Sequence, residues 1–382
     1  MEKSSIVLGL DASRNRSGGA INHLIGVLSN SDPTLYGIGQ IHIWSYKNLL
    51  NKLPDTQWLI KHYPKELEES LVKQVLWQVF SLPKEIRKTG CDLLLNTDAG
   101  TLCSYKPSIT MSRDMLSYEP GEMNRFGFSR ARLRLIILKY IQNRSLKNSS
   151  AAIFLTNYAS TVIQKHTGPI DRFAIIPHGV GGSFSQIVKK EDFDGGDPSP
   201  VQIIYISNIA MHKHQWNVVS AIAQLNRSGY KVRLTLAGGI GYGRPADLLN
   251  KAIEINDPKK ELVHVTGHVE HDQLPNLLNQ ADIFVFASSC ENMPNTLIEA
   301  MASGLPIACS NRGPMPEILE DAGVYFDPDD PDSIASSLIK IITNKELRYS
   351  IAEKAHKLSR QYSWNRCAEE TWKYCSEIAS RI

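Results

Sequence analysis

The chain runs to 382 residues, 42% hydrophobic and 21% charged, with a formal net charge of +3. That length accommodates two domains of ordinary size, each with its own core. The charge balance is too even to mark a nucleic-acid binder, and no apolar run approaches the roughly 20 residues of a membrane helix. The first apolar run, 6–10, is too short for a signal peptide and reads as a strand. The cysteines, Cys91, Cys103, Cys290, Cys309, Cys367 and Cys375, form no CxxC pair or zinc-like set. They read as reduced thiols of a cytosolic protein.

The predicted elements alternate along the chain. After the strand at 6–10 come a helix over 20–29 and a strand over 39–44. Helical spacing runs through 65–88, with Leu67, Leu71, Val75, Val79 and Ile86, interrupted near Pro83. Strands follow at 92–95 and 108–111, a long helix at 130–147, and strands at 152–156 and 173–176, the last ending at Pro177-His178-Gly179. The stretch 189–200 is charged, rich in glycine and proline, and has no apolar periodicity, so it reads as a linker. Alternation then restarts with strands at 201–206, 231–237, 262–266, 283–286 and 307–309, and a last helix from Trp364 to about Ser380. Strands separated by helix-length segments predict an α/β protein with a parallel sheet in each half and helices on both faces. The expected division is 1–185, a linker at 186–200, 201–361, and a terminal helix in 362–382.

The densest chemistry lies at 288–306. Residues 283–286 are a buried strand, and 287–292 are the loop at its carboxyl end. Pro294 suits a first helical turn, and Asn295 is an alternative N-cap. Leu297, Ile298, Met301 and Leu305 give an apolar stripe that Gly304 and Pro306 end. The open amides of Asn295 and Thr296 would then form an anion site in the crevice above the sheet edge. Glu291 precedes this helix start and Glu299 follows it, with seven residues between them. Singly, Glu291 reads as a solvated loop acid and Glu299 as an acid favoured by the helix dipole. Together they suit a sugar nucleotide, one acid meeting the sugar and the other the ribose.

This segment resembles the donor-site signature of family 4 glycosyltransferases, which have the two-domain GT-B fold. The likeness extends through Asn311, Arg312, Gly313, Pro314 and Glu317 to 322–328, and back to 267–269 and 281–283. The resemblance implies two Rossmann-like domains about a cleft, with the C-terminal helix crossing back to the first. It implies that Glu291 contacts the donor sugar, that Glu299 accepts from the ribose hydroxyls, and that Asn292, Met293, Pro294, Asn295 and Thr296 line the donor site. Lys213 matches a family lysine that would neutralise the diphosphate leaving group; a solvated lysine before a helix is its ordinary alternative. Asn208 stands where an arginine is usual, which removes a charge that Arg14, Arg16 or Arg312 would have to replace. The glycine pair Gly18-Gly19 matches a loop that faces donor phosphates or acceptor, although a plain tight turn explains it equally well. Many relatives carry a His-Asp pair where this chain has Arg113-Asp114. Arg113 would steady a phosphate or acceptor anion, and Asp114 would serve as a base or a structural cap. His178 reads as part of a turn. Asp327-Pro328-Asp329 imitates a metal motif but follows a short apolar run, and Asp332 reads as a cap for a helix from Ser333.

Between 123 and 170 there is no Asp or Glu, while Arg125, Arg130, Arg132, Arg134, Lys139, Arg144, Lys147 and Lys165 are interleaved with apolar residues. The segment 125–147 suits an anionic membrane surface. It equally suits a domain helix burying Leu133, Ile137 and Ile141. The function implied is a retaining, metal-independent glycosyltransferase of the cytoplasm or the inner membrane face. It would move a sugar from a UDP- or GDP-sugar to a saccharide or polyprenyl-linked acceptor in surface polysaccharide or lipopolysaccharide synthesis. No cofactor and no nucleic-acid partner are expected. A GT-B sugar-nucleotide epimerase and a non-catalytic sugar-nucleotide-binding subunit are the alternatives.

Overall fold

The computed structural model describes residues 5–16, 18–185 and 199–381, so most of the linker expected at 186–200 falls outside the described residues. The chain divides into two compact units, Met1–Gly179 with Ser363–Ile382, and Val180–Tyr362. Each unit holds one sheet in which every strand pair is parallel.

In the first unit the strands are β1 (Ile6–Asp11), β2 (Ile38–Trp44), β3 (Leu59–His62), β4 (Leu93–Asn96), β5 (Ser108–Met111), β6 (Ala151–Phe154) and β7 (Phe173–Ile175). Their order is β3-β2-β1-β4-β5-β6-β7. Strands β4, β5 and β6 are short and wholly buried, as helices on both faces require, and only β5, with Ser108 and Thr110, is half polar. Chain direction across the sheet reverses between β1 and β4, so the loops leaving their carboxyl ends part and open a crevice. Strand β3 was not among the predicted elements; it is a four-residue edge strand with a half-polar sequence.

The helical spacing at 65–88 resolves into four pieces. They are a 3-10 turn at Lys65–Glu68, an α-helix at Leu71–Leu76, a π turn at Trp77–Ser81 and an α-helix at Leu82–Lys88. Pro83 sits in the first turn of the last piece, where its missing N–H costs nothing. The break falls earlier, at the π turn, whose extra residue re-aims the side chains. Trp77 and Gln78 are buried, while Leu71 and Phe80 of the expected apolar region stay exposed.

The C-terminal helix, Trp364–Ser380, belongs to this unit and packs on the first helix, Gly18–Ser29. Trp372 is fully buried. Two glycines allow the approach: a Cβ on Gly26 would lie 2.3 Å from the Trp364 ring, and one on Gly179 would lie 2.2 Å from the Trp364 amide nitrogen. His23 and His178 fill the same corner, with ring centroids 4.6 Å apart and each about 6 Å from Trp364. His178 is thus a packed core residue, in line with its reading as structural.

The second unit contains β8 (Val201–Ile206), β9 (Val232–Ala237), β10 (Val263–Gly267), β11 (Ile283–Phe286), β12 (Ile307–Ser310) and β13 (Val324–Phe326). Their order, β10-β9-β8-β11-β12-β13, puts the reversal between β8 and β11. One helix start differs from expectation. Asp330, not Asp332, is the cap: its side chain accepts from the Asp332 amide, and the helix runs Pro331–Thr343. Proline at the first helical position presets that start two residues earlier than expected. Among the described residues no helix is long and apolar enough to cross a membrane.

Burial, helped by the Arg113 charge, pushes His178 down to about 3 from its ordinary 6.5. The unfolded chain therefore takes up a proton that the folded chain refuses. Stability is full above pH 6.5 and declines as pH falls from there toward 3, by about 1.4 kcal/mol per pH unit for each such histidine. Urea midpoints measured across this window should fall for the wild type. The slope should be shallower in His178→Asn, and an unchanged slope would remove His178 from the account.

Candidate active site

Strands β8 and β11 pair side by side, Ile203 with Ile283 and Ile204 with Phe284. The loops leaving their carboxyl ends therefore emerge together at the switch point. Backbone and side-chain bonds lace them. The Ser289 amide donates to the His212 carbonyl at 2.8 Å, the Ser289 hydroxyl and His214 Nε2 are 2.9 Å apart, and the Tyr205 hydroxyl donates to the Lys213 carbonyl at 2.8 Å. His214 is wholly buried in a left-handed backbone conformation that turns the chain from the 3-10 turn Met211–Lys213 into the helix Gln215–Arg227.

That lacing brings Lys213 and Glu291 together. Lys213 Nζ forms an ion pair with Glu291 Oε1, and each side chain is only 15% exposed. The ammonium also lies 5.4 Å from the centre of the Phe286 ring. Two residues 78 apart in sequence thus meet as a shielded charge pair.

The helix after the second loop is Asn295–Ala302. Pro294 occupies the N-cap position, so Asn295 is its first helical residue and not its cap. The Leu297 and Ile298 amides donate back to the Pro294 carbonyl at 3.1 and 3.3 Å. The amides of Asn295 and Thr296 then remain as the open donors of this N-terminus. Asn292, Met293 and Pro294 are buried in the turn that leads to it.

Glu299 is the fifth helical residue, beyond the first turn, so the helix dipole does not account for it. It is buried, at 7% exposure. Its Oε1 lies 2.8 Å from His271 Nε2, and its Oε2 has no hydrogen-bond partner among the described residues. A buried carboxylate oxygen left without a donor is costly and expects a ligand. His271 opens the turn after β10, and the Phe184 ring lies 5.3 Å from it. The hydrogen bond that the His271 ring makes to Glu299 raises the His271 pKa above 6.5, against the opposing pull of burial.

Asn208 takes a different place. Its Oδ1 accepts from the Gly239 amide at 2.9 Å, and its carbonyl accepts from Gln215. It ties the β8 loop to the loop after β9, where Gly238, Gly239, Gly241 and Gly243 cluster. A Cβ on Gly238 would lie 2.2 Å from the Ser207 carbonyl oxygen, so only glycine fits there. This glycine-rich loop was missed in the sequence reading, though four glycines in six residues after a strand signal it. Arg312 is engaged by Asp327 at 2.8 Å. Asp327 also accepts from the Asp329 amide, which closes the Asp-Pro-Asp segment as a turn. Among the described residues no group of three or more His, Cys, Asp or Glu is arranged to hold a metal.

The remaining expected residues lie in the first unit. Gly18 and Gly19 are exposed at the start of the helix Gly18–Ser29, and a Cβ on Gly18 would meet nothing within 4 Å, so packing does not dictate that glycine. Arg14 reaches Gln78, and Arg16 stacks over the Tyr46 ring at 4.6 Å. Arg113 and Asp114 follow β5. Arg113 contacts the Thr97 carbonyl at 3.5 Å, and its pKa is lowered by burial against the support of Asp98. Burial in turn raises the Asp98 carboxyl. Asp114 Oδ1 accepts from the Leu116 amide at 3.0 Å and Oδ2 from Gln142 at 3.4 Å, which is the bonding of a structural cap. Asp11, at the end of β1, escaped the sequence reading. It is buried and accepts from the Ser13 amide and hydroxyl, Gln78 and Thr101, which knits the loops after β1 and β4. An aspartate at a strand end with serine two residues on is the available signal.

Residues 188–358 match the family model described as "Glycosyl transferases group 1". The O-antigen chain mannosyltransferase B of Escherichia coli is 30% identical over 132 residues, 34% of this chain and 34% of that protein. The first curated relatives matched are spanned over 34% to 62% of their own lengths. Sucrose-phosphate synthase from Thermosynechococcus elongatus shares the fold with a TM-score of 0.74 over 99% of this chain and 100% of that one, at 15% identity. Anabaena Alr3699/HepE, solved in complex with UDP-glucose, does so with a TM-score of 0.71 over 99% and 100%, at 16% identity. The chain therefore has the GT-B fold, and residues 188–358, most of its second unit, are similar to the group 1 glycosyltransferases.

His271 should titrate above 6.5 in the wild type by NMR of its ring protons. In Glu299→Gln the titration should move down toward 6.5, since the bond that favours the charged ring is weakened. A midpoint that stays put would mean the pair does not form in solution.

Proposed function

We propose that the chain is a retaining glycosyltransferase that takes its sugar from a nucleoside-diphosphate sugar held at the β8–β11 switch point. The observation that carries this reading is the joint placement of Lys213, Glu291, the open helix N-terminus and the part-bonded Glu299 at one sheet edge. Open α/β sheets bind ligands at such edges. The group 1 family match and the UDP-glucose complex of Anabaena Alr3699/HepE support a sugar-nucleotide donor. The O-antigen mannosyltransferase relative supports a place in surface polysaccharide synthesis.

In this reading the Glu299 Oε2 accepts from the ribose hydroxyls while His271 holds the other oxygen. The Asn295 and Thr296 amides and the Lys213 ammonium take the diphosphate, whose charge grows as the bond to the sugar breaks. Lys213 then turns partly from Glu291 to the phosphate, and Glu291 accepts from donor-sugar hydroxyls and steadies the cationic sugar. The acceptor hydroxyl adds on the face the diphosphate leaves, its proton passes to a departing phosphate oxygen, and configuration is retained without a covalent sugar–enzyme bond. The helix terminus and Lys213 supply the positive charge, so no metal is required. The acceptor is a saccharide or lipid-linked saccharide, and Arg113 in the first unit is the candidate to steady its anionic group. The proposed place of action is the cytoplasm or the inner membrane face.

The competing reading of a non-catalytic sugar-nucleotide binder draws on Asn208, which is neutral and already bonded to Gly239. It predicts nucleotide binding with neither transfer nor slow donor hydrolysis.

Glu291→Gln and Lys213→Ala should each lower kcat by about 10²-fold with native circular dichroism retained. Glu299→Ala should instead weaken nucleotide binding about tenfold. Wild-type rates in the first two variants would defeat the assignment. Activity should survive EDTA; loss restored by a divalent ion would overturn the metal-free mechanism.

A further inference from the structure

The helix Arg130–Asn148 turns the wrong side of its sequence outward for a simple domain helix. Its buried face is Leu135, Gln142, Ser145 and Leu146, half of it polar. Leu133, Ile136, Ile137 and Tyr140 recur at helical spacing on the other side and are 58%, 49%, 52% and 71% exposed. The expectation that Leu133 and Ile137 are buried is therefore corrected: the inner face is supplied by the next residues round the helix. Phe128, just before the N-cap Ser129, is fully exposed, and the Arg132 guanidinium lies 5.8 Å from its ring centre.

The same helix carries Arg130, Arg134, Lys139 and Arg144, and no acid occurs anywhere from 123 to 170. An exposed apolar stripe of this length costs solubility unless something covers it. A second copy of this chain would set the same arginines against each other, which disfavours self-association. Nucleic acid would satisfy the arginines and leave the apolar stripe in water. An anionic bilayer satisfies both, with acyl chains for the apolar stripe and lipid phosphates for the basic flanks.

The geometry points to the exposed face of Arg130–Asn148, with Phe128, as a docking surface for an anionic lipid bilayer. The surface lies wholly in the first unit, so the inference stands apart from the proposed sugar transfer, and either can fail without the other. It also deepens that reading. The helix follows β5, so Phe128 and its first turn stand at the carboxyl end of the first sheet, where the loops of Arg113 and Asp98 emerge. Docking there would bring that sheet edge to the lipid surface and favour an acceptor whose carrier is embedded in the membrane.

Co-sedimentation of the full chain with lipid vesicles tests this. At low salt the protein should pellet with phosphatidylcholine–phosphatidylglycerol vesicles, stay in solution with phosphatidylcholine alone, and be released as salt rises. The double variants Arg130→Glu/Arg134→Glu and Ile137→Ser/Tyr140→Ser alter only exposed positions. Each should keep wild-type circular dichroism and lower partitioning by about tenfold or more. No pelleting of the wild type at low salt, equal pelleting of both variants, or equal pelleting with neutral vesicles would overturn the proposal. So would a dimer by analytical ultracentrifugation that Ile137→Ser/Tyr140→Ser dissociates, or retention on duplex DNA without vesicle binding.

Discussion

The Lys213–Glu291 ion pair fixes how the two switch-point loops of the second unit stand toward each other. Both side chains are largely shielded from water, and a shielded charge is tolerable only while its partner is present. Such a pair adds little net stability over apolar packing, so its value lies in geometry. The carboxylate is held where the β11 loop meets the helix N-terminus, and the ammonium is held where a phosphate would arrive. In the proposed function a bound diphosphate would offer Lys213 a stronger anion than Glu291 and release the carboxylate toward the sugar. In the structure the two charges neutralise each other.

Glu299 is held differently. Its partner is His271, a group whose charge depends on pH, and its second oxygen has no partner among the described residues. The two acids of the segment therefore have different partners, the Lys213 ammonium for Glu291 and the His271 ring for Glu299. The packing of Phe184 against His271 extends this dependence to the chain segment just past Gly179, so Glu299 rests on residues far from it in sequence.

The sequence carried the fold because parallel sheets announce themselves in short, doubly buried and largely apolar runs, and β4, β6, β11 and β12 are of that kind. Strand β3 was hidden because an edge strand of four residues needs no such run. The broken helix at 65–88 was hidden because periodicity does not register an inserted residue. At the site, Glu291, Lys213 and Glu299 were legible as motif residues, while their pairing was not. Lys213 meets Glu291, and His271 meets Glu299, only through strand order. Asn208 was legible as a departure from the family pattern; its bond to Gly239 depended on a glycine-rich loop that the sequence reading missed. The outer face of Arg130–Asn148 was equally open to two readings, because apolar residues surround that helix on more than one side and only packing decides which side is inward.

In the proposed function the switch point of the second unit binds a diphosphate through Lys213. Equilibrium titration of nucleoside diphosphates and the matching monophosphates tests it most directly, in the wild type and in Lys213→Ala. For the nucleotide that binds, the wild type should prefer the diphosphate by about tenfold or more, and the preference should largely vanish in Lys213→Ala. An undiminished preference in the variant, or no binding of any nucleoside diphosphate by the wild type, would contradict the account.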